Sequence, residues 1–212
     1  MKLARLGAIA LALAGAAAAG STQGAETDAQ SEPAWTGAVT GMYYAMRDQP
    51  DFGVGVGSLD RGPLHLEARY NYEARDAGSA FVGWKFAGGD TVSYELTPII
   101  GGLFGAARGV VPGLEASIGW RTFDIYIEAE YVGDLDESSA SYFYSWTEVG
   151  WKPVEWLRVG LVGQRTHTID NGRDLQRGIF GQVVVGKATL GVFAFNPDSG
   201  SRYVIVSLGI EF

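Results

Sequence analysis

The chain has no cysteine among its 212 residues. That excludes disulfides and thiolate metal sites. Histidine is almost as scarce: His65 and His167 are the two, so any chemistry that needs an imidazole base has two candidates. Beyond residue 20 no run of eighteen apolar residues occurs, which excludes a transmembrane helix there. Positive charge is the minority sign, with 16 Lys and Arg against 24 Asp and Glu, a formal charge of −8. Removing an N-terminal segment with Lys2, Arg5 and no acid takes −8 to −10. Such a balance argues against nucleic acid as a partner and against anionic lipid as the main target. No phosphate loop, nucleotide fingerprint or metal-ligand spacing is visible, so no cofactor and no metal are expected.

What is present begins with a secretory pattern. Residues 1–19 read as a signal peptide, with Lys2 and Arg5 ahead of the apolar stretch Leu6 to Ala14 and small Ala17 and Ala19 before the cut. Residues 20–34 are small and polar and read as a flexible periplasmic leader. The rest, 35–212, reads as one domain that holds most of the chain's 31 glycines and all of its Tyr, Phe and Trp (10, 10 and 6).

Its pattern has a period of two. In 64–75, Leu64, Leu66, Ala68, Tyr70 and Tyr72 share one face, while His65, Glu67, Arg69, Asn71, Glu73 and Arg75 share the other. Alternate side chains of a strand point to opposite faces, so one face is apolar and the other polar. The same reading predicts twelve strands: 35–46, 52–60, 64–75, 79–87, 91–101, 110–120, 123–132, 142–151, 156–168, 179–186, 188–195 and 202–212. Most have the length a tilted strand needs to cross a bilayer. Even-numbered connections are tight, as at Arg61-Gly62-Pro63. Odd-numbered ones such as Gly133 to Ser141 and Ile169 to Gly178 are longer and polar. Pro98 and Pro112 each remove a ladder donor, which leaves ten strands as the alternative.

At the C-terminus Val204, Val206, Leu208, Ile210 and Phe212 fall on one face. An alternating apolar strand ending in Phe resembles the assembly signal of bacterial outer-membrane β-barrels. Over Trp35 to Phe212 the chain resembles that porin-like class. The resemblance implies a closed antiparallel transmembrane β-barrel in the bacterial outer membrane with both termini periplasmic. It also implies contact with outer-membrane lipid and lipopolysaccharide, and insertion by the barrel-assembly machinery through the strand ending in Phe212. Small porins for acidic sugars and an outer-membrane phospholipase share the twelve-strand size, an analogy of fold alone.

Parity places Glu67, Arg69, Glu73, Arg75, Lys85, Glu95, Glu115, Glu128, Glu130, Glu148 and Arg158 on the lumen side, together with Gly83 and Gln164. Gly53, Gly55 and Gly57 are expected to leave a side-chain-free stripe in the wall. Acids outnumber bases in this set, so a water path along it would favour cations. The leading function is passive passage of small polar solutes. The same charges could instead form a salt-bridge lattice that plugs a structural or surface-interaction barrel.

A third reading, an outer-leaflet lipid hydrolase, rests on His167 in Arg165-Thr166-His167-Thr168-Ile169-Asp170. That segment distantly resembles the His-plus-hydroxyl arrangement of lipid A deacylases. Ile169 stands where a serine is expected, and parity turns His167 outward to the level of lipopolysaccharide phosphates, so no enzyme activity is expected. Tyr43, Tyr70, Tyr72, Trp84, Trp120 and Trp151 read as interfacial girdle residues, and Phe143 or Tyr126 as lumen aromatics that could stack on a sugar.

Overall fold

The computed structural model describes residues 33–168 and 172–212. The signal segment 1–19, most of the leader 20–34, and Ile169 to Asn171 lie outside the described residues. The described residues form twelve antiparallel strands. They are β1 (Thr36–Met46), β2 (Phe52–Arg61), β3 (Leu64–Tyr70), β4 (Ala77–Trp84, continued past Lys85 as Phe86–Gly88), β5 (Ser93–Gly105) and β6 (Gly109–Trp120). The second half comprises β7 (Phe123–Asp134), β8 (Tyr142–Val154), β9 (Leu157–Thr168), β10 (Gly172–Val185), β11 (Ala188–Phe195) and β12 (Tyr203–Glu211). Each strand pairs with its sequence neighbours, and β1 pairs with β12 from Ala38↔Glu211 to Met46↔Tyr203, which closes the barrel. Beyond that ladder, Gly37 and Phe212 exchange two 2.9 Å backbone hydrogen bonds at the seam.

The two prolines leave the strand count intact. Pro98 lies on β5 opposite the break in β4, where it offers no N–H. On the other side of the break the β3–β4 ladder continues, the Lys85 amide donating to Pro63 O at 2.7 Å. The register is unchanged across the gap, from Gly83↔Ile99 to Phe86↔Leu96. Pro112 interrupts β6–β7 in the same way, between Val110↔Gly133 and Gly113↔Glu130. One missing donor costs one ladder bond while its neighbours hold the pairing, so the ten-strand alternative falls.

Two segments depart from the sequence expectation. β3 stops at Tyr70, because Asn71 and Asp76 both take left-handed backbone conformations (φ 58° and 59°). Asn71 stabilises the departure, its Nδ2 donating to Gly53 O (2.9 Å) and its Oδ1 accepting from the Asp76 amide (2.6 Å). Residues 71–76 therefore fold over the barrel mouth, and Tyr72, expected on the outer face, is 1% exposed inside. β10 begins at Gly172 rather than at 179, pairing His167↔Arg173 through Val162↔Gly178. Its first residues, Gly172 to Leu175, are all exposed, so this hairpin extends where both faces meet water and no hydrophobic alternation is needed.

The outer face carries the feature that separates this barrel from a soluble one. Val82, Ile100, Leu114, Ile125, Val149 and Leu161 are all exposed apolar residues at mid-barrel. Trp84, Trp120, Phe123, Trp151 and Trp156 ring the end where both described termini lie. Tyr43, Tyr70, Phe104, Tyr131 and Phe143 ring the other. An aliphatic belt between two aromatic girdles is what a bilayer-embedded barrel presents to lipid.

Candidate functional site

The interior is divided along the barrel axis. At the end holding the termini, a cavity of about 440 Å³ opens between strand ends, with Thr36, Lys187, Glu211 and Phe212 in its wall. Its polar walls carry Asp60, His65, Lys85 and Glu95, and Glu67, Glu115 and Tyr126 lie deeper. Lys85 Nζ reaches Asp60 at 2.9 Å and Glu95 at 3.7 Å. His65 is buried; its Nδ1 bonds Asp60 at 2.7 Å, while its Nε2 is 4.0 Å from Glu115.

Above this vestibule sits a single guanidinium among five acids. Arg69, its side chain 1% exposed, contacts Glu67 and reaches Glu130 at 2.7 Å, Glu128 at 3.1 Å, Glu73 at 3.4 Å and Glu115 at 3.5 Å. Strand pairing explains the assembly. Glu115 and Glu128 face each other across β6–β7, Glu130 follows two residues on, and Glu67 and Arg69 alternate along β3. The loop after β3 delivers Glu73, which is held by the Ser79 hydroxyl at 2.8 Å. Arg69 also lies over the rings of Tyr72 (4.2 Å) and Phe81 (4.4 Å). The Tyr72 hydroxyl donates to Glu128 at 2.6 Å.

A second guanidinium, Arg158, anchors the opposite wall. Its Nε donates to Asp124 at 2.8 Å, and its Nη1 contacts Glu148 and donates to Gln182 at 2.9 Å. Trp146 Nε1 donates to Glu148 at 3.0 Å. Beyond these charges the lumen is aromatic. Tyr44, Tyr144, Trp146, Phe193, Phe195 and Tyr203 pack together with almost no exposure. Phe195 and Tyr203 stack 4.8 Å apart. A smaller apolar cluster around Phe81, Ile99 and Leu103 fills the facing side.

Glu67, Arg69, Glu95, Glu115, Glu128, Glu130, Glu148 and Arg158 thus project from strand positions to the interior, and Lys85 does so from the break in β4. Two further residues from the same sequence set do not sit on a strand. Glu73 reaches the interior from the loop. Arg75 turns toward the β1–β2 loop, donating to Pro50 O at 3.0 Å and lying 4.2 Å over Phe52. The glycine stripe is also corrected: Val54 and Val56 are buried inside, and Gly53, Gly55 and Gly57 face outward. Glycine carries no hydropathy of its own, so its face is set by its neighbours, and the stripe opens no path in the lumen. Tyr126 is inside and Phe143 outside. His167 is exposed, its Nδ1 3.1 Å from Gly172 O.

Sequence reasoning missed Asp60 and Asp124, although parity from Val54 and from Glu128 reaches both. It also missed the convergence of His65, Glu67 and Glu115, whose ligand atoms lie within 4.8 Å of one another. The third partner comes from another strand, so no local spacing announces it.

No protein-family model matches this sequence, and no curated protein matches it. Solved structures do. The KdgM porin aligns with a TM-score of 0.61 at 8% identity, over 82% of this chain and 99% of that one. The KdgM porin in complex with disordered oligogalacturonate gives the same score at 5% identity, over 82% and 98%. OccK5 (OpdH) of Pseudomonas aeruginosa aligns at a TM-score of 0.45 and 8% identity, over 81% and 62%. The closed twelve-strand ladder, the lipid-facing belt and the likeness to the KdgM porin structures give this chain the fold of a porin-like outer-membrane β-barrel.

Proposed function

We propose that the protein is a narrow, cation-preferring channel for small polar solutes, with both termini and the vestibule facing the periplasm. The observation that carries this is the surplus of acid in the lumen: five carboxylates surround Arg69, and the vestibule beneath adds Asp60 and Glu95 against Lys85. Charges inside a low-dielectric wall are poorly screened, so a small excess biases which ion enters. The same potential repels polyanions. The oligogalacturonate held by the KdgM porin is an acidic sugar, and its recognition does not transfer to this interior.

Passage requires the aromatic half to yield. Trp146, Tyr44 and Tyr144 are 0% exposed, so the acidic cluster selects and the aromatic layer gates. That packing also favours a second reading, a permanently sealed scaffold that presents its outer loops. Planar-bilayer recordings separate the two. The channel reading expects small conductance with cation selectivity in the reversal potential under a salt gradient. Selectivity should fall in the Glu128→Gln, Glu130→Gln double variant, and conductance should rise in Trp146→Ala. Anion selectivity sinks the proposal. Silence from folded wild type and folded Trp146→Ala alike establishes the sealed scaffold.

A further inference from the structure

We infer that His65, Glu67 and Glu115 form a binding site for a divalent transition-metal ion at the floor of the vestibule. The cluster is more than a group of acids, because the histidine is set up as a ligand. His65 is 5% exposed, and its Nδ1 is engaged by Asp60 at 2.7 Å. An acceptor there fixes the proton on Nδ1, leaving the Nε2 lone pair free. That Nε2 is buried, has no hydrogen-bond partner among the described residues, and faces Glu115 Oε2 at 4.0 Å. A histidine whose far nitrogen is held by a carboxylate while its near nitrogen points at other carboxylates has the arrangement of metal-binding histidines.

Charge permits a dication here. Arg69 takes Oε1 of both Glu67 and Glu115, which leaves Oε2 of Glu115 toward His65. Five carboxylates against one guanidinium leave four formal negative charges, so a dication is still outweighed. One imidazole nitrogen with carboxylate oxygens suits zinc or its neighbours better than calcium or magnesium, which prefer all-oxygen sets. Three protein ligands beside an open cavity leave a further position for water or a solute. The ion would also sit against the acids invoked for cation preference, yet its binding does not depend on conduction.

The test uses untagged, chelator-stripped barrel in detergent, titrated with Zn²⁺ by calorimetry and counted by elemental analysis. One ion per barrel is expected. His65→Ala and Glu115→Gln should each weaken it at least about tenfold, and Asp60→Asn about 10–100-fold, because the Asp60 carboxylate holds the His65 ring in place. His167→Ala should leave it unchanged. Heat-modifiable migration shows that each variant is folded. Should His65→Ala not fold, Glu115→Gln carries the test together with Co²⁺ loaded into wild type, whose visible absorption reports nitrogen and oxygen ligation. No Zn²⁺ bound by folded wild type, undiminished binding in the folded site variants, or displacement of Zn²⁺ by equimolar Ca²⁺ or Mg²⁺ overturns the inference.

Discussion

Arg69→Met tests the central claim about the lumen, that one cation organises the acids there. The replacement keeps much of the side-chain length and removes the charge. Arg69 is 1% exposed at the side chain and has five carboxylates within 3.5 Å. Removing one member of a buried ion pair costs about 3–5 kcal/mol, because the partner keeps its desolvation penalty. The cost does not scale with the number of acids, since they share one guanidinium. Loss of the contacts over Tyr72 and Phe81 adds about 0.5–2 kcal/mol. We therefore expect a loss of about 3.5–7 kcal/mol, the sum of the two. Urea unfolding of vesicle-reconstituted barrel, followed by tryptophan fluorescence, measures it. Adding Glu128→Gln and Glu130→Gln to Arg69→Met removes two of the stranded charges and should recover about 1–3 kcal/mol relative to additivity. A loss below about 1 kcal/mol, or strict additivity in the combined variant, would refute the idea that Arg69 is the hub.

Three further outcomes follow from geometry. Leu114→Arg, on the lipid face of mid-β6, should cost about 2–4 kcal/mol in the same assay, and inward-facing Glu115→Gln far less; the reverse order would invert the assigned faces. A Cβ on Gly150 would lie 2.6 Å from Arg158 Nε, so Gly150→Val should displace the Arg158–Asp124 pair and cost about 1–3 kcal/mol, read as a lowered unfolding midpoint. Asp51, in the β1–β2 loop, accepts from the Tyr43 hydroxyl (2.7 Å) and the Met46 amide (2.8 Å), which hold its carboxylate below the usual range. A depressed acid orders its loop above the unfolded value and loses that order as pH falls through the folded one. Protease cleavage at 47–51 should therefore rise on acidification in wild type and stay flat with pH in Asp51→Asn.

Much of the wall was legible in the sequence because a membrane barrel prints its two environments on alternate residues. Leu114 and Glu115, or Glu128 and Ile127, declare their faces without help. What was not legible lay where that code lapses. Gly53, Gly55 and Gly57 carry no hydropathy, so their face had to come from Val54 and Val56. Asn71 ends β3 by a change of backbone hand, and the alternation beyond it in Tyr72 and Glu73 belongs to a loop. In the first turn of β10 both faces are wet, so a paired strand reads as polar loop. The lumen list lay within reach of parity, but contact between its members did not. Arg69 meets Glu128 and Glu130 only because β3 and β7 face each other across the closed interior.

The axial division of the interior bears on how such a barrel could select and close. Carboxylates on β6 and β7 sit at mid-height, where Arg69 from β3 can reach them. The large rings of β1, β8, β11 and β12 occupy the half away from the termini. Were acids and rings mixed through the height, each buried charge would need its own counter-charge among apolar neighbours, at a desolvation cost its partner must offset. Segregation gives the charges a shared cation and a nearby cavity, and leaves the rings to pack against one another. A solute drawn into the vestibule by the acids would meet Arg69 and Tyr72 before the aromatic layer. Tyr72 lies on the loop 71–76 rather than on the wall, and it donates to Glu128 while lying under Arg69. A shift of that loop would loosen the acidic cluster and the apolar packing together, which would couple the charges of the proposed channel to its aromatic layer.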